Sequence, residues 1–362
     1  MRIALAVVAV IACGKSSDSP SSGSATGSAS PKPGLHAIAK FPAAVLIAGS
    51  RRVAIDAGDA GWFEPAPGTP REVPATAAAI AKLRRELGGD FQVFLGAHPI
   101  AVGGEDHHEA IIRLEPVPRT IALDGHLAKV SALDNGVEVW QFDERLRAEL
   151  AVVDKAGLVT TLPALELISP TDPGLSPMSA KACAAPKIPS LASTGTVVFA
   201  LLIECNPNAP IRIATYRGTG PNVALESLES TTQLGFEPKH IVARRDGTRA
   251  IVGAAAGKLW IGRVASDGKI VKRASLADVR VVVDAALAGD GAVWALTLSV
   301  GSDERDVWQV SRDGEVVFIA DPAGTALRPA QLAFDERYGV VVIATAATES
   351  WLLIERMPET VR

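Results

Sequence analysis

The sequence predicts an all-β protein built from repeated four-stranded units. Short apolar runs alternate with turn residues, only one segment shows helical periodicity, and the last third of the chain repeats one pattern three times. In each repeat an apolar strand, a polar turn and a second strand precede a third strand that carries a tryptophan. These tryptophans lie roughly 40 to 50 residues apart, which is the length of a β-propeller blade, and they are Trp260, Trp308 and Trp351.

The region from residue 35 to residue 362 is long enough for about six to eight such blades. The clear repeats cover Pro238 to Arg362, weaker ones lie at Asp124 to Val159 and Thr194 to Tyr216, and Leu35 to Leu123 has the weakest pattern. A stretch rich in Pro, Ser and Ala at residues 169–189 is a possible internal break. A β-sandwich, or two smaller β domains that meet at this break, is therefore the alternative architecture.

One repeat resembles the β-propeller repeat superfamily in its residues. Gly257-Lys258-Leu259-Trp260 is followed by Asp267-Gly268-Lys269, which matches the Gly-x-Leu-aromatic and Asp-Gly-Lys pattern of such units. The Trp-Asp dipeptide and the kelch double glycine of two propeller subfamilies do not recur. The resemblance implies a ring of blades whose loops bind a partner or whose central channel holds an active site.

A single helix interrupts the strands of the first blades. From Thr76 to Leu87, the apolar residues Ile80, Leu83 and Leu87 share one face, and basic residues occupy the others. Thr76 is placed to cap the first turn and Gly88 to end the last. We expect this helix to be an insertion on the rim of a β domain.

The first residues have the pattern of an export signal. Met1 and Arg2 precede an apolar run from Ile3 to Ala12, which is too short to remain as a membrane-spanning helix. Val10-Ile11-Ala12-Cys13 resembles the lipobox of bacterial lipoproteins, in which the cysteine receives lipid and the peptide before it is removed. The resemblance implies a signal peptide at residues 1–12, a lipidated Cys13, and attachment to the inner or outer bacterial membrane. Incidental placement of Cys13 in an ordinary secretory signal is the alternative.

We expect residues 13–34 to form a flexible linker, because their Ser, Gly, Ala, Pro and Lys residues cannot build a core. The other two cysteines, Cys183 and Cys205, would form a disulfide in an oxidising envelope compartment, or remain as buried thiols. The small net charge of -4 argues against nucleic acid as a partner.

Motifs for catalysis are absent from the sequence, which has no Gly-x-Ser-x-Gly elbow and no phosphate-binding glycine loop. Asp106-His107-His108-Glu109 is the one cluster with metal-binding side chains, and we expect it to be a solvated loop. We therefore predict no metal and no cofactor. The aspartates that precede glycines are expected to be turn residues that accept hydrogen bonds from their own backbone: Asp246, Asp267, Asp290 and Asp313.

Charge is distributed unevenly between two neighbouring repeats. Lys239 to Arg273 is strongly basic, whereas Ala274 to Asp321 is acidic. These charges can pair across neighbouring blades, or the basic repeat can bind an anionic partner. The residues of that candidate patch are Arg244, Arg245, Arg249, Lys272 and Arg273.

Together these features predict a protein of the cell envelope, held at a membrane by lipid on Cys13. We expect its propeller loops to bind a protein or another envelope component without catalysis. The alternative is a propeller-type hydrolase or lyase with its site at the central channel. An enzyme would need titratable side chains that converge at the channel, and the sequence alone cannot place them.

Overall fold

The computed structural model describes residues 34–49, 52–66, 69–86, 91–95, 99–103, 110–113, 119–122, 126–133, 136–142, 148–154, 159–161, 187–194, 197–203, 211–217, 224–244, 246–264, 270–277, 279–299, 301, 304–319, 327–346 and 348–357. Contacts group Pro33–Arg362 into one compact unit. Apart from one α-helix and two single turns of 3-10 helix, the regular structure of the described residues consists of strands. The all-β prediction is confirmed.

The described strands form seven antiparallel sheets of four strands each, which we call blades 1 to 7. Blade 1 contains β2 (Val45–Ala48), β3 (Val53–Asp56), β4 (Trp62–Glu64) and β5 (Arg71–Glu72). Blade 2 contains β6 (Phe91–Leu95), β7 (Pro99–Gly103), β8 (Ala110–Arg113) and β9 (Arg119–Ala122). Blade 3 contains β10 (His126–Leu133), β11 (Gly136–Phe142), β12 (Ala148–Asp154) and β13 (Val159–Thr161).

Blades 4 to 7 follow the same order. Blade 4 contains β14 (Lys187–Ser193), β15 (Val197–Ile203), β16 (Arg212–Arg217) and β17 (Ala224–Ser230). Blade 5 contains β18 (Pro238–Ala243), β19 (Arg249–Ala255), β20 (Lys258–Val264) and β21 (Ile270–Ala277). Blade 6 contains β22 (Val279–Leu287), β23 (Val293–Ser299), β24 (Arg305–Val310) and β25 (Val316–Phe318). Blade 7 contains β26 (Arg328–Asp335), β27 (Gly339–Ala346), β28 (Glu349–Ile354) and, from the other end of the chain, β1 (His36–Phe41).

The first strand of each blade lies against the first strands of the two neighbouring blades, from β2 through β26 and back to β2. This closed order is a β-propeller of seven blades in the described residues, within the predicted range of six to eight. Of the possible break at residues 169–189, residues 169–186 lie outside the described part of the chain, whereas residues 187–189 form the start of β14. The first strands of the blades on either side of it, β10 and β14, lie against each other.

Strand β1 closes the ring. It pairs antiparallel with β28, from His36 opposite Ile354 to Phe41 opposite Ser350. Leu35 and Phe41 are both buried, and Phe41 contacts the ring of Phe63 in blade 1, with 5.1 Å between centroids. The first strand of the domain therefore supplies the fourth strand of the last blade, so the third clear repeat does not contain its own fourth strand.

Strand direction defines two faces of the propeller. The turns between first and second strands, such as Ala288–Ala292, lie on one face, and β1 also begins there at His36. We call this the entry face. The first strands begin on the opposite face, where helix α1 (Pro74–Glu86) follows β5. We call this the helix face.

Helix α1 packs on blades 1 and 2 through Ile80 and Leu83, as predicted, in a cluster with Trp62. Its start differs from the prediction, because Pro74 is the first helical residue and Thr76 lies inside the first turn. Proline is favourable at a first helical position, where its missing N–H leaves no bond unmade. Arg84 also binds the buried Asp56 of β3 at 2.6 Å.

Cross-strand pairing explains the repeated tryptophans. Trp260, Trp308 and Trp351 all lie on the third strand of their blades, as the repeat pattern predicts. Each lies opposite a small residue of the second strand, which leaves room for the indole: Gly253, Ala295 and Ala344.

Candidate functional site at the propeller axis

Polar side chains of the first strands bind the backbone of the next blade. The hydroxyl of Ser190 in blade 4 accepts the Ile241 N–H of blade 5 at 3.0 Å. The imidazole of His240 in blade 5 donates to the Val282 carbonyl of blade 6 at 3.3 Å. Asp284 in blade 6 accepts the Leu332 N–H of blade 7 at 3.1 Å, and Gln331 in blade 7 accepts the Leu46 N–H of blade 1 at 2.7 Å. We call these four contacts the inter-blade bonds.

A common irregularity of the first strands accompanies these bonds. The pairing of the first with the second strand shifts register immediately before each of the four residues: Ser190, His240, Asp284 and Gln331. A β-bulge inserts an extra residue and redirects the side chain that follows. Each bulge thus directs a polar side chain to the neighbouring blade.

Two aliphatic side chains are exposed near the helix-face ends of first strands. Val45 begins β2 and is 45% exposed, and Val281 is the third residue of β22 and is 42% exposed. The first strands surround the propeller axis, so both residues lie around the mouth of the axis on the helix face. We call Val45 and Val281 the axis mouth. An exposed aliphatic side chain can lose water contact when an apolar group of a partner packs against it.

Blade 7 makes two further side-chain contacts with blade 1. The Ser350 hydroxyl accepts the Ala44 N–H at 3.1 Å. The fully buried Asp335 accepts the Val53 N–H at 3.0 Å and pairs with Arg337 at 3.1 Å. The Asp335 hydrogen bond raises the pKa of the Arg337 guanidinium, partly opposed by burial. Together with the bond from Gln331 to Leu46, these contacts stabilise the junction where the ring closes.

A buried cation connects blades 5 and 6. Arg263 donates to the carbonyls of Gly291, Val310 and Ser311, at 2.9 Å for Val310 and 2.8 Å for Ser311. Burial lowers the pKa of the Arg263 guanidinium, and Asp290 and Asp313 of blade 6 act in the opposite direction. An arginine of the basic repeat therefore binds the backbone of the acidic repeat across a blade boundary.

The residues of the predicted anionic-partner patch fall in different environments. Arg244 lies in a turn of the entry face, and its side chain is 32% exposed. Arg249 is buried, pairs with Glu229 at 3.2 Å and lies over the ring of Phe199, so it forms no part of an exposed surface. Lys272 and Arg273 are consecutive residues of β21. Arg245 lies outside the described residues.

Several other predicted residues also lie outside the described part of the chain: Cys13, Cys183, Cys205, Asp267 and the cluster from Asp106 to Glu109. In the residues that the structure does describe, no group of three His, Cys, Asp or Glu side chains could hold a metal ion. The described residues also contain no helix long and apolar enough to cross a membrane.

Two of the aspartates predicted as turn residues are confirmed. Asp246 accepts the Thr248 N–H at 2.9 Å, and Asp290 accepts the Ala292 N–H at 2.8 Å. Asp313 lies exposed in the turn from Ser311 to Glu315. Sequence reasoning did not identify the inter-blade bonds, although each of the four polar residues follows a short apolar or proline-containing run at a strand start.

No protein-family profile matches the sequence, and no curated protein matches it. Among solved structures, the chain is similar to YCF48 bound to a D1 peptide, with 14% identity, a TM-score of 0.47, and coverage of 91% of this chain and 95% of that one. It is also similar to a protein from Lactobacillus plantarum, with 15% identity, a TM-score of 0.45, and coverage of 74% and 85%. A subtype N11 neuraminidase-like protein of a flat-faced bat virus has 9% identity, a TM-score of 0.44, and coverage of 74% and 87%. Identities this low restrict the likeness to the fold.

Proposed function

We propose that this protein is a lipid-anchored binding protein of the bacterial cell envelope that holds an apolar segment of a partner protein at the axis mouth. The observation that carries the proposal is the division of roles among the first strands. Their aliphatic residues Val45 and Val281 are exposed, whereas the titratable residues His240 and Asp284 bind the backbone of the next blade. This arrangement favours apolar recognition over acid-base chemistry at the axis.

The inter-blade bonds support binding by a rigid surface. Each bond joins a side chain of one blade to the backbone of the next, so the first strands cannot move apart without losing hydrogen bonds. A surface fixed before binding loses little conformational entropy when a partner docks. The propeller therefore suits a protein that presents loops at a constant spacing.

A lipid anchor on Cys13 would orient the axis mouth relative to the membrane. The linker before β1 would join the propeller at the entry face, where His36 lies. A flexible linker of about 20 residues spans roughly 25 Å on average, which keeps the entry face near the membrane. The helix face, with the axis mouth and α1, would then point away from the membrane toward partners in the envelope.

Capture of partners from solubilised membranes, with the full chain as bait, tests the proposal. The double variant Val45→Lys/Val281→Lys should lose the captured partner at least tenfold, because two charges at the axis mouth oppose burial of an apolar group. Leu225→Lys/Met357→Lys is the matched control, since Leu225 and Met357 are also large, exposed apolar residues of the described chain but lie on β17 and beyond β28.

Equal capture by the wild type and both variants would contradict binding at the axis mouth. Circular dichroism and thermal melting of both variants check that the propeller remains folded. Loss of capture in the control alone would place the binding surface elsewhere and would also contradict the proposal.

A further inference from the structure

Three arginines from three blades surround a single turn of the entry face. The turn consists of Gly289, Asp290 and Gly291, between β22 and β23 of blade 6. A Cβ atom built on Gly291 would lie 3.6 Å from Nη1 of Arg244 in blade 5 and 3.9 Å from Cδ of Arg312 in blade 6. A Cβ atom built on Gly289 would lie 3.7 Å from Nη2 of Arg356, which follows β28 of blade 7. We call Arg244, Arg312 and Arg356 the arginine cluster.

The guanidinium groups of Arg244 and Arg356 approach the turn closely. A Cβ atom at Gly291 or Gly289 would be in ordinary van der Waals contact with them. Gly291 also has a φ of 86°, a conformation that favours glycine, and its carbonyl accepts a bond from the buried Arg263. The backbone of the turn is thus held by a side chain of blade 5.

The nearby carboxylates are held against the backbone of the protein. Asp290 and Asp246 accept N–H groups of their own turns, from Ala292 and Thr248. Glu355 accepts the Val340 N–H at 2.9 Å. Asp246 and Asp290 are nevertheless exposed, and a carboxylate oxygen of Asp246 lies 3.9 Å from the guanidinium of Arg244. Each of these short carboxylates is held close to its turn by its backbone bond, whereas the longer side chains of Arg312 and Arg356 are exposed at the surface. The groups best able to reach an external ligand from this turn are therefore guanidiniums.

The residues that follow the linker lie beside the arginine cluster on the entry face. Leu35, the residue before β1, belongs to one buried cluster with Ala288 and Ala292, the two residues that bracket the turn. A membrane that holds lipid on Cys13 would lie within reach of this face, which is the part of the argument that rests on the proposed function. Guanidinium groups bind phosphate through paired, charge-assisted hydrogen bonds.

We propose that the arginine cluster binds the phosphate groups of phospholipids in the membrane to which the protein is tethered. The contact adds a second, electrostatic attachment to the lipid on Cys13. It also fixes the entry face against the membrane, which a flexible linker alone would not do. The anionic partner of the basic repeat is then a lipid headgroup, bound by Arg244 with arginines of two further blades.

Sedimentation with lipid vesicles tests this inference. The full chain with Cys13→Ser, which carries no lipid, is mixed with vesicles of phosphatidylglycerol and phosphatidylcholine, or of phosphatidylcholine alone, at low and at moderate salt. We expect binding to the anionic vesicles, weakened by salt, and at least a tenfold loss in the variant Arg244→Gln/Arg312→Gln/Arg356→Gln.

The matched control is Arg85→Gln/Lys258→Gln/Arg328→Gln, which removes the same charge from exposed side chains of the helix face. This control should bind as the parent does. Equal losses in both variants would show a general charge effect and would overturn the inference, as would binding that neither variant changes. If free inorganic phosphate at millimolar concentration bound the arginine cluster equally well with and without vesicles and displaced the protein from them, the ligand would be a soluble anion. That result would also overturn the inference.

The lipid anchor and the arginine cluster can fail separately. Absence of acyl groups on Cys13 would contradict the anchor, while vesicle binding by the unlipidated chain would still be observed. Partner capture depends on Val45 and Val281, which lie on the opposite face. The arginine variants should therefore capture the partner as the wild type does.

Discussion

At the scale of single residues, Glu355 makes the stability of blade 7 depend on pH. Its carboxylate accepts the Val340 N–H beside the chain end of blade 7. Burial raises the pKa of Glu355 and Asp290 raises it further, while the Val340 hydrogen bond and Arg356 act in the opposite direction. The folded state therefore binds this proton more tightly than the unfolded chain does, and the stability it contributes is present at low pH.

We expect Glu355→Gln to change the pH dependence of stability. In the wild type, the contribution of this proton is lost as pH rises from the ordinary carboxyl pKa through the raised pKa of the folded state. Glutamine keeps an acceptor for the Val340 N–H without a charge, so the variant should melt above the wild type at pH 7 and equal it below about pH 4. Melting curves at both pH values measure this, and a variant less stable at pH 7 would be contrary to the prediction.

At the scale of elements, the inter-blade bonds explain why first strands combine apolar runs with single polar residues. Asp284 is representative, because it accepts the Leu332 N–H of the next blade and the N–H of Ala285 in its own strand. A partly buried N–H without an acceptor costs about 1–3 kcal/mol. The bulge before Asp284 is what turns this side chain toward blade 7.

Asp284→Ala should therefore lower the free energy of unfolding by about 1–3 kcal/mol, because the Leu332 N–H loses its acceptor. Asp284→Asn is the control, since its amide oxygen can still accept that bond, and it should retain most of the wild-type stability. Urea unfolding followed by tryptophan fluorescence measures both. If the alanine variant were as stable as the wild type, this bond would not contribute to holding blades 6 and 7 together.

The elements also show what sequence could and could not predict. Trp260, Trp308 and Trp351 fell at equivalent positions because a blade repeats its local pattern, and hydrophobic periodicity located α1 to within two residues at its start. Trp62 also lies on a third strand, but it was not recognised as part of the repeat because β4 and β5 have only three and two residues. Short strands give too few residues for a period to be detected.

The candidate sites could not be predicted from the sequence, because they combine residues of different blades that the local pattern does not bring together. Arg244 was identified from the basic repeat, whereas Arg312 and Arg356 lie in later blades and meet it only across blade boundaries. Arg249 belonged to the same basic run, yet the start of β19 faces blade 4, where Glu229 and Phe199 bury it. Charge density along the chain does not distinguish a buried ion pair from an exposed patch.

At the scale of the whole molecule, the chain closes its own ring with the strand nearest the linker. The pairing of His36 with Ile354 joins residues at opposite ends of the domain, so no local repeat could reveal it. Blade 7 is complete only with β1, and Phe41, Ser350, Gln331 and Asp335 all contribute to the junction with blade 1. The segment that would carry the tether is thus continuous with the strand that closes the propeller.

The two faces of this ring give the proposed function its direction. The entry face combines the start of β1 with the arginine cluster, and the helix face combines the axis mouth with α1. A tether at the first face leaves the second free for a partner. The assignment of one face to the membrane and the other to a partner depends on the proposed lipid attachment at Cys13.

Membrane fractionation of cells that express the full chain or its Cys13→Ser variant measures that attachment most directly. The wild type should remain in the membrane pellet after a high-salt wash, which removes electrostatic contacts, and mass spectrometry should find acyl groups on its N-terminal cysteine. The variant should appear in the soluble envelope fraction with an unchanged circular dichroism spectrum. Retention of Cys13→Ser in the washed pellet, or an unacylated wild type, would contradict the account.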